Sequence, residues 1–309
     1  MYDTINLRLL NHGNNDYAKN ILPYLEEVAE HYLQNQRTIT GNVGRLYIEA
    51  SKTELKIRGG SICKWYLGDN FQTMRKTDMK AAIEKLSDII HVPIKKAEVT
   101  RIDIGQNFLM RFCPVVYLGY LGDLSRTQRL QQSNGLYYKT DRRILCFYDK
   151  IKESKYSQKI PPLYKDKNIL RYEIRFCKNI AYQMGVNELR AEMLYNGRFY
   201  ISLLNRWRDN YNNIQKIKKS SMGFSKVKTK RDLYKMGVAT YIGIRGGTLK
   251  VIEDINELFY KGGITKAQAY DLKQAVKEAG EFNPDVVDGS DDVIEELSTK
   301  VNEAIKYYL

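Results

Sequence analysis

Thr100-Arg101-Ile102-Asp103-Ile104, Leu145-Cys146-Phe147-Tyr148-Asp149-Lys150 and Leu170-Arg171-Tyr172-Glu173-Ile174-Arg175 decide how this chain is read. In an extended chain, successive side chains point to opposite faces. Arg101 and Asp103 therefore share a face against Ile102 and Ile104. Cys146, Tyr148 and Lys150 stand opposite Leu145 and Phe147, and Arg171, Glu173 and Arg175 oppose Tyr172 and Ile174. Each segment has one apolar side for helices and one polar side. Set side by side, the three gather Asp103, Glu173, Tyr148 and several cations on one sheet surface. Carboxylates in such a place hold Mg²⁺ or Mn²⁺, which prefer hard oxygen ligands. The ion polarises a phosphodiester, and a tyrosine hydroxyl held in line attacks phosphorus. Lys150 is the candidate to stabilise the phenolate or the scissile phosphate. A half-exposed strand with cross-strand ion pairs shows the same alternation. Tyr148 is one of 24 tyrosines, so the pattern alone leaves both readings open.

Working outward, Asp3 to Leu10 reads as a first strand, and Asp16 to Gln34 carries a helical stripe of Ala18, Ile21, Leu22, Leu25, Val28 and Ala29. Arg45 to Ala50 and Glu54 to Arg58 alternate around Ser51-Lys52-Thr53, which suits a hairpin that Gly59-Gly60 then ends. Thr77 to Ile90 is a helix with Met79, Ala82, Ile83, Leu86 and Ile90 on one stripe. Strands follow over Glu98 to Phe108, Ile144 to Lys150 and Ile169 to Phe176. Few long helices separate the strands, so the first two hundred residues predict an α+β unit. Its expected form is an antiparallel or mixed sheet with helices on one face.

Past Arg206 the character changes. Arg206, Arg208, Lys216, Lys218, Lys219, Lys226, Lys228, Lys230, Arg231 and Lys235 are opposed only by Asp209 and Asp232. Helices are expected over Ile252 to Tyr260 and Thr265 to Ala279, then an acidic, turn-rich Asn283 to Asp292 and a closing helix from Val293. This predicts a domain over 1–205 and a basic, mainly helical region over 206–309. No internal repeat is visible.

The composition fits such a chain. Its 309 residues are 43% apolar, enough to bury a core, and the formal net charge is +14. A protein this basic is expected to meet a polyanion, most often nucleic acid; a small anionic substrate is the other reading. Cys63, Cys113, Cys146 and Cys177 form no CxxC and no zinc spacing, so they read as reduced cytosolic thiols. The start has no signal-peptide pattern, and no apolar run reaches the roughly 18 residues of a membrane helix. A cytoplasmic location away from any membrane is expected.

In this order the charged segments resemble those of rolling-circle initiators of the plasmid replication initiation factor family. They also resemble the related gene II/X replication proteins of filamentous phages. Those proteins carry a T/S-R-hydrophobic-D strand, a hydrophobic-Y-x-K segment and an R-x-E strand. Thr100-Arg101-Ile102-Asp103, Phe147-Tyr148-Asp149-Lys150 and Arg171-Tyr172-Glu173 match them. Gly135-Leu136-Tyr137-Tyr138 with Lys139-Thr140-Asp141-Arg142 is similar to a strand and turn before the tyrosine. Gly59-Gly60-Ser61-Ile62-Cys63-Lys64 is a loose counterpart of a Gly-rich turn leading to Cys-Arg. The likeness spans about residues 45 to 190.

The resemblance implies an HUH-like nuclease fold. It implies Tyr148 as the nucleophile that nicks one origin strand, leaving a 5′-phosphotyrosine and a free 3′-OH for a host polymerase. It implies Asp103 and Glu173 as ligands of Mg²⁺ or Mn²⁺. The plasmid members carry one further acid where this chain has Arg58. Either Glu49 fills that role or more water does. There is no His-x-His pair: His12, His31 and His91 are scattered. The implied partners are origin DNA, single-stranded or in a cruciform or supercoiled form, with a host helicase and a second copy of the chain as further candidates. A non-catalytic DNA-binding regulator on the same fold is the alternative.

Candidate DNA contacts are Arg58, Lys64, Arg101, Arg142, Arg143, Arg171, Arg175, Arg206, Arg208, Lys218, Lys219, Lys228 and Lys230. Cations neutralise phosphates, while Trp207, Tyr211, Phe224 and Tyr234, interleaved with them, offer stacking surfaces. A basic solvated helix with its aromatics in the core is the other reading. Thr127 to Asn134 is a polar stretch able to read base edges or simply to decorate a loop.

Overall fold

The computed structural model describes every residue except 12, 14–15, 34–35, 155–159, 218–220, 223–226, 246, 281–285, 288–290 and 309. Its strands are β1 (Tyr2–Leu10), β2 (Glu26–Leu33), β3 (Gln36–Val43), β4 (Leu46–Ser51), β5 (Glu54–Arg58), β6 (Glu98–Leu109), β7 (Gln128–Gln132), β8 (Gly135–Lys139), β9 (Arg143–Asp149) and β10 (Ile169–Phe176). These ten pair into one sheet, in the order β2-β3-β4-β5-β1-β6-β10-β9-β8-β7. Every neighbouring pair is antiparallel. Helices α1 (Tyr17–Ile21), α2 (Ile62–Leu67), α3 (Lys76–Ile90), α4 (Pro114–Leu118), α5 (Lys150–Ser154), α6 (Ile180–Met184) and α7 (Gly197–Asn212) accompany it. The architecture is α+β, with a helical C-terminal region.

The path through the sheet repeats. β1 leads through α1 into the meander β2-β3-β4-β5, whose last strand returns beside β1. Likewise β6 leads through α4 into β7-β8-β9-β10, whose last strand returns beside β6. The two halves join along β1 and β6. No sequence repeat announces this.

The apolar faces behave as their alternation demands. Ile102, Ile104, Leu145, Phe147, Tyr172, Ile174 and Phe176 are buried. Helix α7 packs on them, with the Trp207 ring 4.7 Å from that of Tyr172, which in turn stacks 4.4 Å from Phe147. Asn196 starts α7 by accepting from the backbone N–H of Arg198 at 2.9 Å and of Phe199 at 3.2 Å. Helix α3 buries the expected Met79, Ala82, Ile83, Leu86 and Ile90. It ends where His91 turns left-handed, with φ 52°.

Two expectations are corrected. The predicted helix over Asp16 to Gln34 is helical only as α1; a 3₁₀ turn over Leu22–Tyr24 follows, and then strand β2. Pro23 supplies no N–H for helix continuation, and the β-branched Thr38, Ile39 and Thr40 of β3 offer a ladder that Ala29, Glu30 and His31 join. Nor are helices confined to one face. Ser61, the cap of α2, donates to Asp3 on the charged face. Asn107 on that face donates to the carbonyls of Asn70 at 2.9 Å and Phe71 at 3.1 Å. The α2 segment thus roofs part of the polar surface.

The chain forms two compact units. The first comprises 1–118, 124–213 and 300–309, the second 119–123 and 214–299. The boundary expected near 205 falls inside α7. In the second unit α8 (Lys230–Arg245), α9 (Thr248–Tyr260) and α10 (Lys266–Gly280) bury Ile242, Val251, Ile255, Ala269, Val276 and Ala279 together. β11 (Ser221–Met222) pairs with β12 (Val286–Val287). α11 (Asp291–Tyr308) closes the chain, and its residues from Lys300 belong to the first unit. No described helix is long and apolar enough to cross a membrane.

Candidate functional site

Strand register arranges the charged face as a grid. Arg171 on β10 lies between Asn107 of β6 and Tyr148 of β9. Glu173 lies between Gly105 and Cys146, and Arg175 between Asp103 and Ile144. Beyond Tyr148, its partner on β8 is Gly135. Three of the four residues the sequence singled out here, Asp103, Tyr148 and Glu173, therefore share one surface. The fourth, Lys150, is one residue past the end of β9. It starts α5, is fully buried and donates to Glu153 at 2.7 Å.

Glu173 is the hub. Its Oε2 accepts from the Tyr148 hydroxyl at 3.1 Å and from Arg171 Nε at 2.9 Å, and its Oε1 accepts from Arg175 Nε at 2.7 Å. Arg171 reaches further, donating to Asn107 Oδ1 at 3.0 Å and to Asp3 Oδ2 at 2.5 Å. Asn70 donates to the same Asp3 oxygen at 3.3 Å. Arg101 holds Asp103 through two bonds, of 2.8 and 2.7 Å. Three acids (Asp3, Asp103, Glu173) thus face three arginines (Arg101, Arg171, Arg175).

Asp3 is a member of the site that the sequence pattern does not single out. It sits on β1, with β6 between it and Arg171, and only a bare position on β6 lets the guanidinium cross. Gly105 is that position: a Cβ there would lie 3.1 Å from the Glu173 Cβ and 3.2 Å from the Arg171 Cζ. A glycine inside a strand marks close approach of a neighbouring group, and this was the available signal.

Burial and charge set the protonation states. Burial pushes Glu173 upward, but Arg171 and Arg175 outweigh it and bring the carboxyl down to about 2. Burial raises Tyr148 well above the usual phenol range; Arg171 opposes this, while Glu173 and Asp3 add to it. Tyr148 is 8% exposed, and it rests as a neutral phenol. Burial also holds Asp103 up, to about 6, against Arg101 and with help from Glu173. Its bonds to Arg101 tighten that guanidinium's hold on its own proton, but one half-exposed partner does not repay the desolvation of Asp103. Burial and Arg171 lower Lys150.

This donor set does not fit a divalent ion as arranged. Both oxygens of Asp103 and both of Glu173 accept from arginines, and the six charges cancel. Among the described residues no group of three or more His, Cys, Asp or Glu is placed to hold a metal. Glu49, the other candidate ligand, is not brought to the cluster. It lies on β4, with β5 and β1 between it and β6, and it pairs with Lys56 at 3.2 Å and with Arg58. Arg58 is therefore away from the site too. The pairing follows from the meander, which sets Glu49 directly across from Lys56.

The remaining cations divide. Lys64 lies on α2. Arg142, Arg143 and Arg206 converge on a separate cavity. Arg208 pairs with its neighbour Asp209 at 3.0 Å. Lys228 and Lys230 are exposed, and Lys218, Lys219, Lys226 and Phe224 lie outside the described residues. Trp207 and Tyr211 are fully buried, so neither offers a ring to a base, whereas Tyr234 is 71% exposed. Thr127 to Asn134 is no loop: it contains β7, an edge strand of the sheet.

No curated protein matches this chain. Residues 1–213, which carry the whole grid, match the family model for the N-terminal part of the replication-associated gene II protein of phages, and the chain belongs to that family.

Proposed function

We propose that this replication initiator nicks one strand of origin DNA through Tyr148, on an HUH-like fold, to start rolling-circle replication. The observation that carries this reading is the Tyr148 hydroxyl donating at 3.1 Å to Glu173, within a paired cluster of arginines. Attack forms a bond from the phenolic oxygen to phosphorus. The bond from phosphorus to the 3′-oxygen breaks, and that oxygen leaves with the electron pair and takes up a proton. The phenol proton passes to the Glu173 carboxylate, the acceptor already in place. The products are a 5′-phosphotyrosine and a 3′-OH, the end a host polymerase extends after a helicase opens the duplex. Because Glu173 is a weak base, its main service is to orient the hydroxyl. The half-exposed Arg101 and Arg175 are the cations an arriving phosphate would engage, replacing one anionic partner with another.

Mg²⁺ or Mn²⁺ held by Asp103 and Glu173 belongs to the family reading rather than to this arrangement, and no step is routed through an ion. Such an ion would supply Lewis-acid polarisation of the phosphate. A fully paired charge cluster with a buried tyrosine also favours a second reading, a DNA-binding regulator that does not cut. One experiment separates them. Single-stranded candidate origin DNA is incubated with the protein, with and without Mn²⁺, and tryptic peptides are analysed by mass spectrometry. The expected result is a nucleotide adduct on Tyr148 that Tyr148→Phe abolishes while DNA binding stays within about twofold, since the hydroxyl touches no cation needed to hold DNA. An adduct on another tyrosine overturns the nucleophile; DNA binding with no adduct under any condition supports the regulator.

A further inference from the structure

Behind the sheet from Tyr148 lies a second polar place. Arg143 and Phe176 face each other across β9 and β10 and share the side of the sheet on which α7 packs. There, with residues of α6, α7 and two surface turns, they line a cavity of about 710 Å³. Four arginines open onto it: Arg126, Arg142, Arg143 and Arg206, against the single acid Asp141. None of the four forms an ion pair among the described residues, whereas Arg101, Arg171 and Arg175 at the Tyr148 cluster each hold a carboxylate. The Nε–H groups of Arg143 and Arg206 are buried with no hydrogen-bond partner among the described residues. Orphaned buried donors of this kind are rare and call for an acceptor. Burial lowers the pKa of Arg143, and Arg206 nearby lowers it further; an anion between them relieves both costs. At the rim Tyr182 is 75% exposed, with the Arg142 guanidinium 5.3 Å from its ring centroid.

We propose that this cavity is a second DNA site, which holds a phosphodiester of a single strand between Arg143 and Arg206 and stacks a base on Tyr182. The chemistry supports a nucleotide unit in particular. Convergent guanidinium groups suit phosphate oxygens, an exposed ring beside a cation suits a base, and a net positive, half-open cavity suits a chain that enters and leaves. The place is distinct from the reaction centre. Tyr148 lies five residue steps beyond Arg143 on β9, roughly 17 Å along a strand, and the two side chains leave opposite faces. A strand bound here is thus not the phosphate under attack. It is a neighbouring stretch, or the displaced strand, kept in hand during nicking.

The inference rests on the DNA-nicking reading, and the test keeps the two apart. Full-length protein is titrated with a fluorescein-labelled single-stranded oligonucleotide at several salt concentrations, using wild type, Arg143→Gln/Arg206→Gln and Tyr148→Phe. The double variant should bind more weakly, and its log–log salt slope should fall by about 1.4, two contacts at about 0.7 each. Tyr148→Phe should keep the wild-type slope. In parallel, arginine modification by phenylglyoxal, mapped by mass spectrometry on the wild-type protein, should be suppressed by the oligonucleotide at Arg142, Arg143 and Arg206. This second readout stands even where the double variant fails to fold. An unchanged slope in a folded double variant, or no protection at these arginines, overturns the site. So does protection by thymidine monophosphate that the oligonucleotide cannot reproduce, which would mark a free-nucleotide site. Loss of the Tyr148 adduct with the slope change intact leaves this site standing and removes only the nicking reading. Wild type that binds no single strand removes both.

Discussion

Arg171 shows how much one residue can organise. It is 3% exposed, and it bonds Glu173 on its own strand, Asn107 on β6 and Asp3 on β1. A buried guanidinium is tolerated because carboxylates flank it; removing one partner would leave an uncompensated charge. The whole arrangement depends on Gly105 having no side chain. Gly105→Ala would set a Cβ 3.1 Å from the Tyr172 carbonyl oxygen as well as against Arg171, and neither a backbone oxygen nor a buried guanidinium can give way freely. The expected cost is about 1–3 kcal/mol, the usual range for overpacking, read as a lower urea midpoint at unchanged m-value. Loss of the Tyr148 adduct should accompany it, because Glu173 moves with Arg171. A variant as stable and as reactive as wild type would show that the crossing is not needed. Residues of this kind define what the sequence makes legible. Alternation, which is local, puts Asp103, Tyr148 and Glu173 each on a polar strand face, and the ordered resemblance to the initiator family singles them out. Asp3 is not singled out, because its role depends on a strand that meets β6 about a hundred residues later in the chain.

At the level of elements, the strands that hold the site are fixed from behind. Phe147 and Tyr172 occupy the back of β9 and β10 at the positions adjoining Tyr148 and Glu173, and they stack on each other and on Trp207 of α7. The Tyr172 hydroxyl donates to the Trp207 carbonyl at 2.9 Å, so backbone and ring of α7 both grip the sheet. Trp207 is fully buried and its indole N–H has no partner among the described residues; its contribution is therefore packing. Trp207→Ala should destabilise the first unit by about 3–5 kcal/mol, seen in chemical denaturation, and should loosen the spacing of Tyr148 to Glu173. A loss under about 1 kcal/mol would mean that α7 does not anchor the strands. The sequence made Trp207 ambiguous, since it sits among cations that also suggest a DNA-facing helix; only its seat against Tyr172 resolves it. The same limit explains the helix misread over residues 22–33. Apolar spacing there satisfied a helical stripe, and Pro23 together with pairing to β3 decided otherwise.

Over the whole molecule, the sheet is two passes of one path, yet apart from Asp3 on β1 the acids and arginines of the charged cluster lie on the second pass. The counterparts of β9 and β10 are β4 and β5, and there Glu49, Lys56, Arg58 and Glu54 form surface ion pairs. No sequence repeat betrayed this, because a topology constrains hydrophobic alternation and turn positions but not the residues on the solvent side. The expectation that Glu49 fills the role of the family's further acid came from its place on the strand next to Arg58, whereas the sheet order puts two strands between β4 and β6. A clean consequence is that Glu49→Gln should be nearly silent. Lys56 keeps Glu54 at 2.5 Å, and the Arg58 side chain is 50% exposed, so solvent takes over the lost contact. The stability change should stay within about 1 kcal/mol, as for exposed pairs generally, and the yield of Tyr148 adduct should stay within about twofold of wild type. On the proposed mechanism, Glu173→Gln assayed beside it should abolish the adduct, since it removes the carboxylate that orients the phenol, leaves Arg175 without its carboxylate and leaves Arg171 with Asp3 alone. If Glu49→Gln instead abolished the adduct while the protein stayed folded, the β2-β3-β4-β5 meander of the first pass would have to contribute to the chemistry. The division of labour between the two halves would then be wrong.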